Sequence, residues 1–207
     1  MKYRDKSLIQ NALVLIYDPV PLDKVALDVL KQSFSNVASL PEQGVVLVEH
    51  NDMKIRALVG TAKLEFTNNS QKEFSESDYD LLGPILQALP PLRVKGCGIN
   101  LHSRFILDEF PIAGVYGKSR LLAQPAELEA KLGAPIFATA HRIFYGEPDL
   151  HFDLRITPVD LAGPWLHVQL HRHKTISLTD PEMMKQQALS ELRDTIVELQ
   201  RTTDVIL

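Results

Sequence analysis

Apolar and polar residues alternate with two different periods along this chain, and the switches between them mark out its elements. Leu8 to Tyr17 is a short run rich in Leu, Ile and Val, the pattern of a buried strand. Pro19-Val-Pro21 stops it, and Leu22, Val25, Ala26, Val29 and Leu30 then recur at helical spacing, which predicts a helix from about Pro21 to Phe34. Gly44 to His50 and Met53 to Gly60 read as two strands joined by a tight hairpin at Asn51-Asp52. Thr61 to Thr67 sets Ala62, Leu64 and Phe66 against Lys63 and Glu65, the alternation of a half-solvated antiparallel strand. Ser75-Glu-Ser-Asp78 has the composition of a helix start. The helix continues from Tyr79 to Leu89, with a kink expected at Pro84 and an end at Pro90-Pro91.

The second half has a similar order. Val94 to Leu107 predicts a long strand, bulged near Gly96-Cys97-Gly98. Pro125 to Leu132 is a short helix with Gly133 as its stop. Ile136 to Tyr145, Leu150 to Thr157 and Trp165 to Thr175 are three further strands, separated by turns at Gly146 to Asp149 and Pro158 to Pro164. Thr179-Asp-Pro-Glu182 starts a last helix, whose apolar stripe is Leu189, Leu192, Ile196 and Leu199.

This order predicts an α+β fold, a predominantly antiparallel sheet with covering helices. Residues 1–92 and 93–207 can each be written strand, helix, three strands, helix, which suggests a duplicated unit within one compact domain or two lobes. Residue identity between the halves is poor.

One strand carries unusual chemistry. Trp165 to Thr175 places His167, Gln169, His171 and His173 on one face, opposite Leu166, Val168 and Leu170. On the preceding strand His151, Asp153, Arg155 and Thr157 oppose Phe152, Leu154 and Ile156. If the two strands pair as a meander, both polar sets share a sheet face. His141 falls in phase with Ile143 and Tyr145, so its membership of that face is less secure. The candidate binding residues are therefore His151, Asp153, Arg155, His167, Gln169 and His171. A hydrated sheet face is the plainest reading, and a partner surface the next, since these side chains are adaptable donors and acceptors. No cofactor or metal is predicted. The alternative is zinc or another divalent transition metal held by His151, Asp153, His167 and His171, which requires side chains that converge.

Composition narrows the function classes. The chain has 207 residues, 45% hydrophobic and 23% charged, with a net charge of −4. That is ordinary globular composition, and its acidity disfavours nucleic acid as a partner. Cys97 is the single cysteine, which rules out an intramolecular disulfide and a cysteine-built zinc site. No apolar run approaches the ~18 residues of a membrane span, and a cytoplasmic location is the default expectation.

The catalytic motifs are absent or incomplete. Gly96-Cys-Gly98 lacks the third glycine and the strand-to-helix context of a dinucleotide loop. His173-Lys-Thr175 would be one half of a paired His-x-Thr pattern, and no second copy exists. There is no Gly-x-Ser-x-Gly elbow, Walker loop or His-Glu-x-x-His. The expectation is a non-enzymatic protein-binding or assembly module that uses sheet surfaces or edges, with a protein partner or self-association. The alternative is a metal-assisted or histidine-dependent hydrolase acting on a phosphate or ester.

Overall fold

The computed structural model describes residues 3–71, 76–160 and 162–206. Strand β1 (Tyr3–Tyr17) runs into a 3₁₀ turn at Leu22–Lys24 and helix α1 (Leu27–Ser33). Strands β2 (Asn36–Leu40), β3 (Val45–His50), β4 (Ile55–Gly60) and β5 (Lys63–Asn68) follow, then helices α2 (Glu76–Asp80) and α3 (Leu82–Ala88). The second half begins with β6 (Val94–Leu107) and continues through α4 (Ala113–Tyr116) and α5 (Pro125–Leu132). Strands β7 (His141–Glu147), β8 (Leu150–Pro158) and β9 (Trp165–Leu178) lead to helix α6 (Pro181–Ile206).

All nine strands form one antiparallel sheet in the order β2-β3-β4-β5-β1-β6-β9-β8-β7. Two of the three longest strands, β1 and β6, pair at its centre, and each half of the chain builds outward from one of them. The halves therefore share one sheet. Outward from the centre the order is β1-β5-β4-β3-β2 on one side and β6-β9-β8-β7 on the other, so the halves differ by a strand.

The α+β class and the antiparallel sheet agree with the sequence pattern, and several boundaries differ for identifiable reasons. The predicted helix from Pro21 is interrupted because Val25 is extended and the amide of Ala26 donates to the carbonyl of Ala88 at the end of α3. Helix α1 starts only beyond that tether. Pro84 lies in the first turn of α3, where no amide is needed, so it starts a helix rather than kinking one. Ser75, at the predicted start of the preceding helix, lies outside the described residues. The strand predicted from Ile136 begins at His141. Residues 136–139 instead lie against α5 and α4: the Ile136 amide donates to Glu129 Oε1 on α5 (2.7 Å), and a Cβ on Gly114 of α4 would come within 2.4 Å of the Phe137 carbonyl. Strand β2, which no strong pattern announces, is a five-residue edge that pairs only with β3.

One face of the sheet carries the core. Leu13, Leu15, Ile99, Leu101, Leu154, Val168 and Leu170 are all buried, as are Leu30 of α1, Ile85 of α3 and Leu192 and Leu199 of α6. Each such side chain contributes about 1.5–3 kcal/mol of hydrophobic free energy. The stripe Leu189, Leu192, Ile196 and Leu199 thus packs within the molecule's own core. Helix α6 begins with Asp180, whose carboxylate accepts from the Met183 amide at 2.8 Å. An ionic knot around the buried Glu191 then joins α6 to β9: Lys174 donates to Glu191 Oε1 (2.7 Å), the Arg172 guanidinium forms an ion pair with Glu191 Oε2 (2.9 Å), and Arg172 also donates to Asp194 (3.1 Å). Among the described residues, no helix is long and apolar enough to cross a membrane.

Candidate functional site

The opposite face of the sheet is built by the alternate residues of the same strands. At its N-terminal end it presents Val14, Leu47 and Leu58, all half-buried, and Ile16, which is 42% exposed. At its C-terminal end the face is polar, and the strand register sets its side chains in rows. Asn100, His171, Asp153 and Phe144 lie side by side across β6, β9, β8 and β7. The next row is His102, Gln169, Arg155 and Arg142, and a third runs Gly98, His173, His151 and Gly146. Arg104, His167 and Thr157 form a fourth row toward the far end of β9.

The first two rows line a basin of ≈ 550 Å³, with His151 at its edge. Its firmest element is an ion triad. Arg142 grips Asp153 with both prongs, Nε to Oδ1 at 2.9 Å and Nη2 to Oδ2 at 2.8 Å. Arg155 adds Nη2 to Oδ2 at 2.8 Å and Nε to Oδ2 at 3.2 Å. Asp153 is buried while both arginines are about half-exposed. The Arg142 hydrogen bonds, with help from Arg155, hold the Asp153 carboxyl well below the usual carboxylate range. The Arg142 guanidinium also stacks on the Phe144 ring, 4.4 Å from its centroid.

The imidazoles are held by carboxamides. His171 Nδ1 donates to the side-chain oxygen of Asn100, and His102 Nδ1 accepts from Gln169 Nε2 at 3.1 Å. In the neutral rings these bonds leave Nε2 of His171 as an acceptor and Nε2 of His102 as a donor. Burial lowers the pKa of His102, His167, His171 and His173. Neighbouring positive groups lower it further: His167 for His102, Arg104 for His167, and His151 for His173. The glycines of β6 provide the space for this packing. A Cβ on Gly96 would lie 3.1 Å from His173 Cε1, and one on Gly98 would lie 3.2 Å from His171 Cε1.

The structure brings His151, Asp153, Arg155, Gln169 and His171 together around the basin. His167 stands apart, four residues along β9 from His171, about 13 Å at the rise of a strand. Its ring packs against His102 instead, with centroids 5.4 Å apart, and its Nε2 is buried with no hydrogen-bond partner. His151, Asp153, His167 and His171 therefore do not meet at one point, and both Asp153 oxygens are occupied by arginine. Among the described residues no group of three His, Cys, Asp or Glu side chains is arranged to hold a metal ion. His141 faces away from the basin, and its Nε2 lies 3.0 Å from Thr139 Oγ1.

Asn100, His102, Arg142 and Phe144 are not among the candidate residues that the sequence pattern marked out. Their parity on β6 and β7 was readable, but not the pairing of β6 with β9 that brings Asn100 and His102 alongside His171 and Gln169. Cys97 lies on the core side of β6, and burial pushes its thiol up to about 12. It is not poised as a nucleophile.

No family model matches the sequence, and no curated protein matches it. Among solved structures, the chain is similar to Methanococcus jannaschii TBP, with a TM-score of 0.41 and 13% identity over 94% of this chain and 99% of that one. A likeness of that degree carries no statement about function.

Proposed function

We propose that this protein is a non-enzymatic protein-binding or assembly module whose docking element is the uncovered face of its sheet. The observation that carries this reading is the one-sided packing. The core and helices α1, α3 and α6 occupy one face, while the other presents half-buried apolar side chains at Val14, Leu47 and Leu58 beside the polar basin. Water-exposed apolar area of this kind gains by being covered, and adjoining polar groups give a contact its register. Two of the side chains with chemical potential are already committed. Cys97 is buried as a thiol, and Asp153 is saturated by two arginines.

The test is sedimentation velocity of the full chain from low to high micromolar concentration, together with cross-linking in cell extract through Lys63, which lies on this face. The reading expects self-association, or cross-links from Lys63 to one recurrent protein, and expects Leu58→Glu to abolish either. A concentration-independent monomer with no Lys63 cross-links overturns it. So does an association that Leu58→Glu leaves intact.

A further inference from the structure

We propose that the basin between β6, β9, β8 and β7 binds a small organic oxyanion, a phosphate- or carboxylate-bearing molecule whose anionic group is held by Arg142 and Arg155. This goes beyond protein docking on the same face, because the ligand is a small molecule and its binding does not depend on self-association.

Charge is the first argument. Two guanidiniums meet a single carboxylate, Asp153, and among the described residues no other acidic side chain lines the basin, so one positive charge is left over. Asp153 uses Nε and Nη2 of each arginine, which leaves Nη1 of each for a ligand. The carboxylate therefore acts as a fixed brace. It holds both forks in place from below and reduces the ordering cost of binding a second anion above them.

The remaining wall suits the same ligand. His102, with its free Nε2–H, and the half-buried carboxamides of Asn100 and Gln169 offer neutral donors around the cations. The volume of ≈ 550 Å³ lies in the range of small-molecule sites and far exceeds a bare phosphate, so the anionic group has an organic body attached. Phe144, 63% exposed and backed by Arg142, provides a flat apolar surface on which a ring can stack.

The test is titration of the full chain, followed by amide NMR shifts, with inorganic phosphate, adenosine monophosphate, citrate and uncharged adenosine. Saturable shifts at basin residues with at least one anion are expected, with adenosine at least about tenfold weaker than its monophosphate. Tighter binding in the phosphate arm identifies a phosphate ligand, and tighter binding of citrate identifies a carboxylate. Arg155→Gln should weaken the best anion about tenfold or more, and Arg142→Gln serves the same purpose if the first variant does not fold. Lys63→Gln, at the other end of the face, should leave binding unchanged. The proposal is overturned if no anion produces saturable shifts up to about 10 mM, if adenosine binds as well as its monophosphate, or if both arginine variants bind like the parent.

Discussion

The imidazole of His171 lies directly over Gly98, so close that a Cβ there would stand 3.2 Å from its Cε1. Strand β6 can present glycine at this point because its other face is filled by Cys97 and Ile99, which keep the strand packed into the core. Gly98→Ala therefore has to move the ring by a few tenths of an ångström, and Gly98→Val has to displace it. Val14 Cβ, 3.7 Å away on the other side, leaves little alternative room. We expect the valine variant to lose about 1–3 kcal/mol of stability, as overpacked sites do. Its His171 proton resonances should titrate closer to the ordinary imidazole value as the displaced ring gains solvent, since burial is the main cause of the lowered value. Unchanged denaturant midpoints and an unchanged His171 titration would contradict this account of the glycine.

Asp153→Asn tests the ion triad. Removing the charge leaves Arg142 and Arg155 to share one neutral amide oxygen in place of two carboxylate oxygens, a loss of about 1–3 kcal/mol for charge-assisted bonds at a buried carboxylate. The pH dependence follows from the depressed carboxyl pKa, set chiefly by the Arg142 bonds. The stabilisation is complete above the unfolded value of about 3.9 and fades as the pH falls through the lower folded value. Unfolding free energies of the parent and variant should therefore converge below about pH 4. A constant gap down to acid pH would assign the effect to packing rather than charge.

The half-buried histidines impose a second pH dependence at higher pH. Burial lowers the folded-state pKa of His102, His167, His171 and His173, so between those values and about 6.5 the unfolded chain binds more protons. Stability then rises with pH through this window and declines as the solution is acidified below about pH 6.5. Urea midpoints on either side of that value should show the decline, and His171→Asn should flatten it. A midpoint independent of pH across the window would remove burial as the cause.

On the covered side, Glu191 is the keystone between α6 and β9. It is 1% exposed and receives both Lys174 and Arg172, the latter itself buried. Glu191→Ala leaves Arg172 with only the exposed Asp194, and a loss of about 3–5 kcal/mol is expected, as for other broken buried pairs. Replacing Arg172 and Glu191 together with apolar residues should cost much less. Equal losses in the single and double variants, read from denaturant unfolding, would show that the knot acts through side-chain volume.

Local pattern was enough to place most of these elements. Strand β6 spans Val94–Leu107, and the helix at Pro125–Leu132 stops at Gly133, which adopts the left-handed conformation at φ +67. Both follow from periodicity and from the few residues that tolerate special backbone geometry. Where the prediction failed, a distant group had intervened. Ala88 captures the Ala26 amide and breaks the first helix, and Glu129 captures the Ile136 amide and delays β7. Neither partner can be found from a local window.

The same division applies to the candidate site. Alternation set His151, Asp153 and Arg155 on one side of β8 and Gln169 and His171 on one side of β9, because side-chain direction in a strand depends only on parity, and the β8–β9 pairing then joins the two sets on one face. Only the tertiary structure decided that β6 lies beside β9 and β7 beside β8. That neighbourhood supplies Asn100 and His102 from one side, Arg142 and Phe144 from the other, and the glycines that make room for the imidazoles. It also sets His167 and His171, which point to the same side of β9, in different cross-strand rows, with His167 between Arg104 and Thr157. Strand order is set by which long strands bury their faces together, a property of the whole core that no local spacing records.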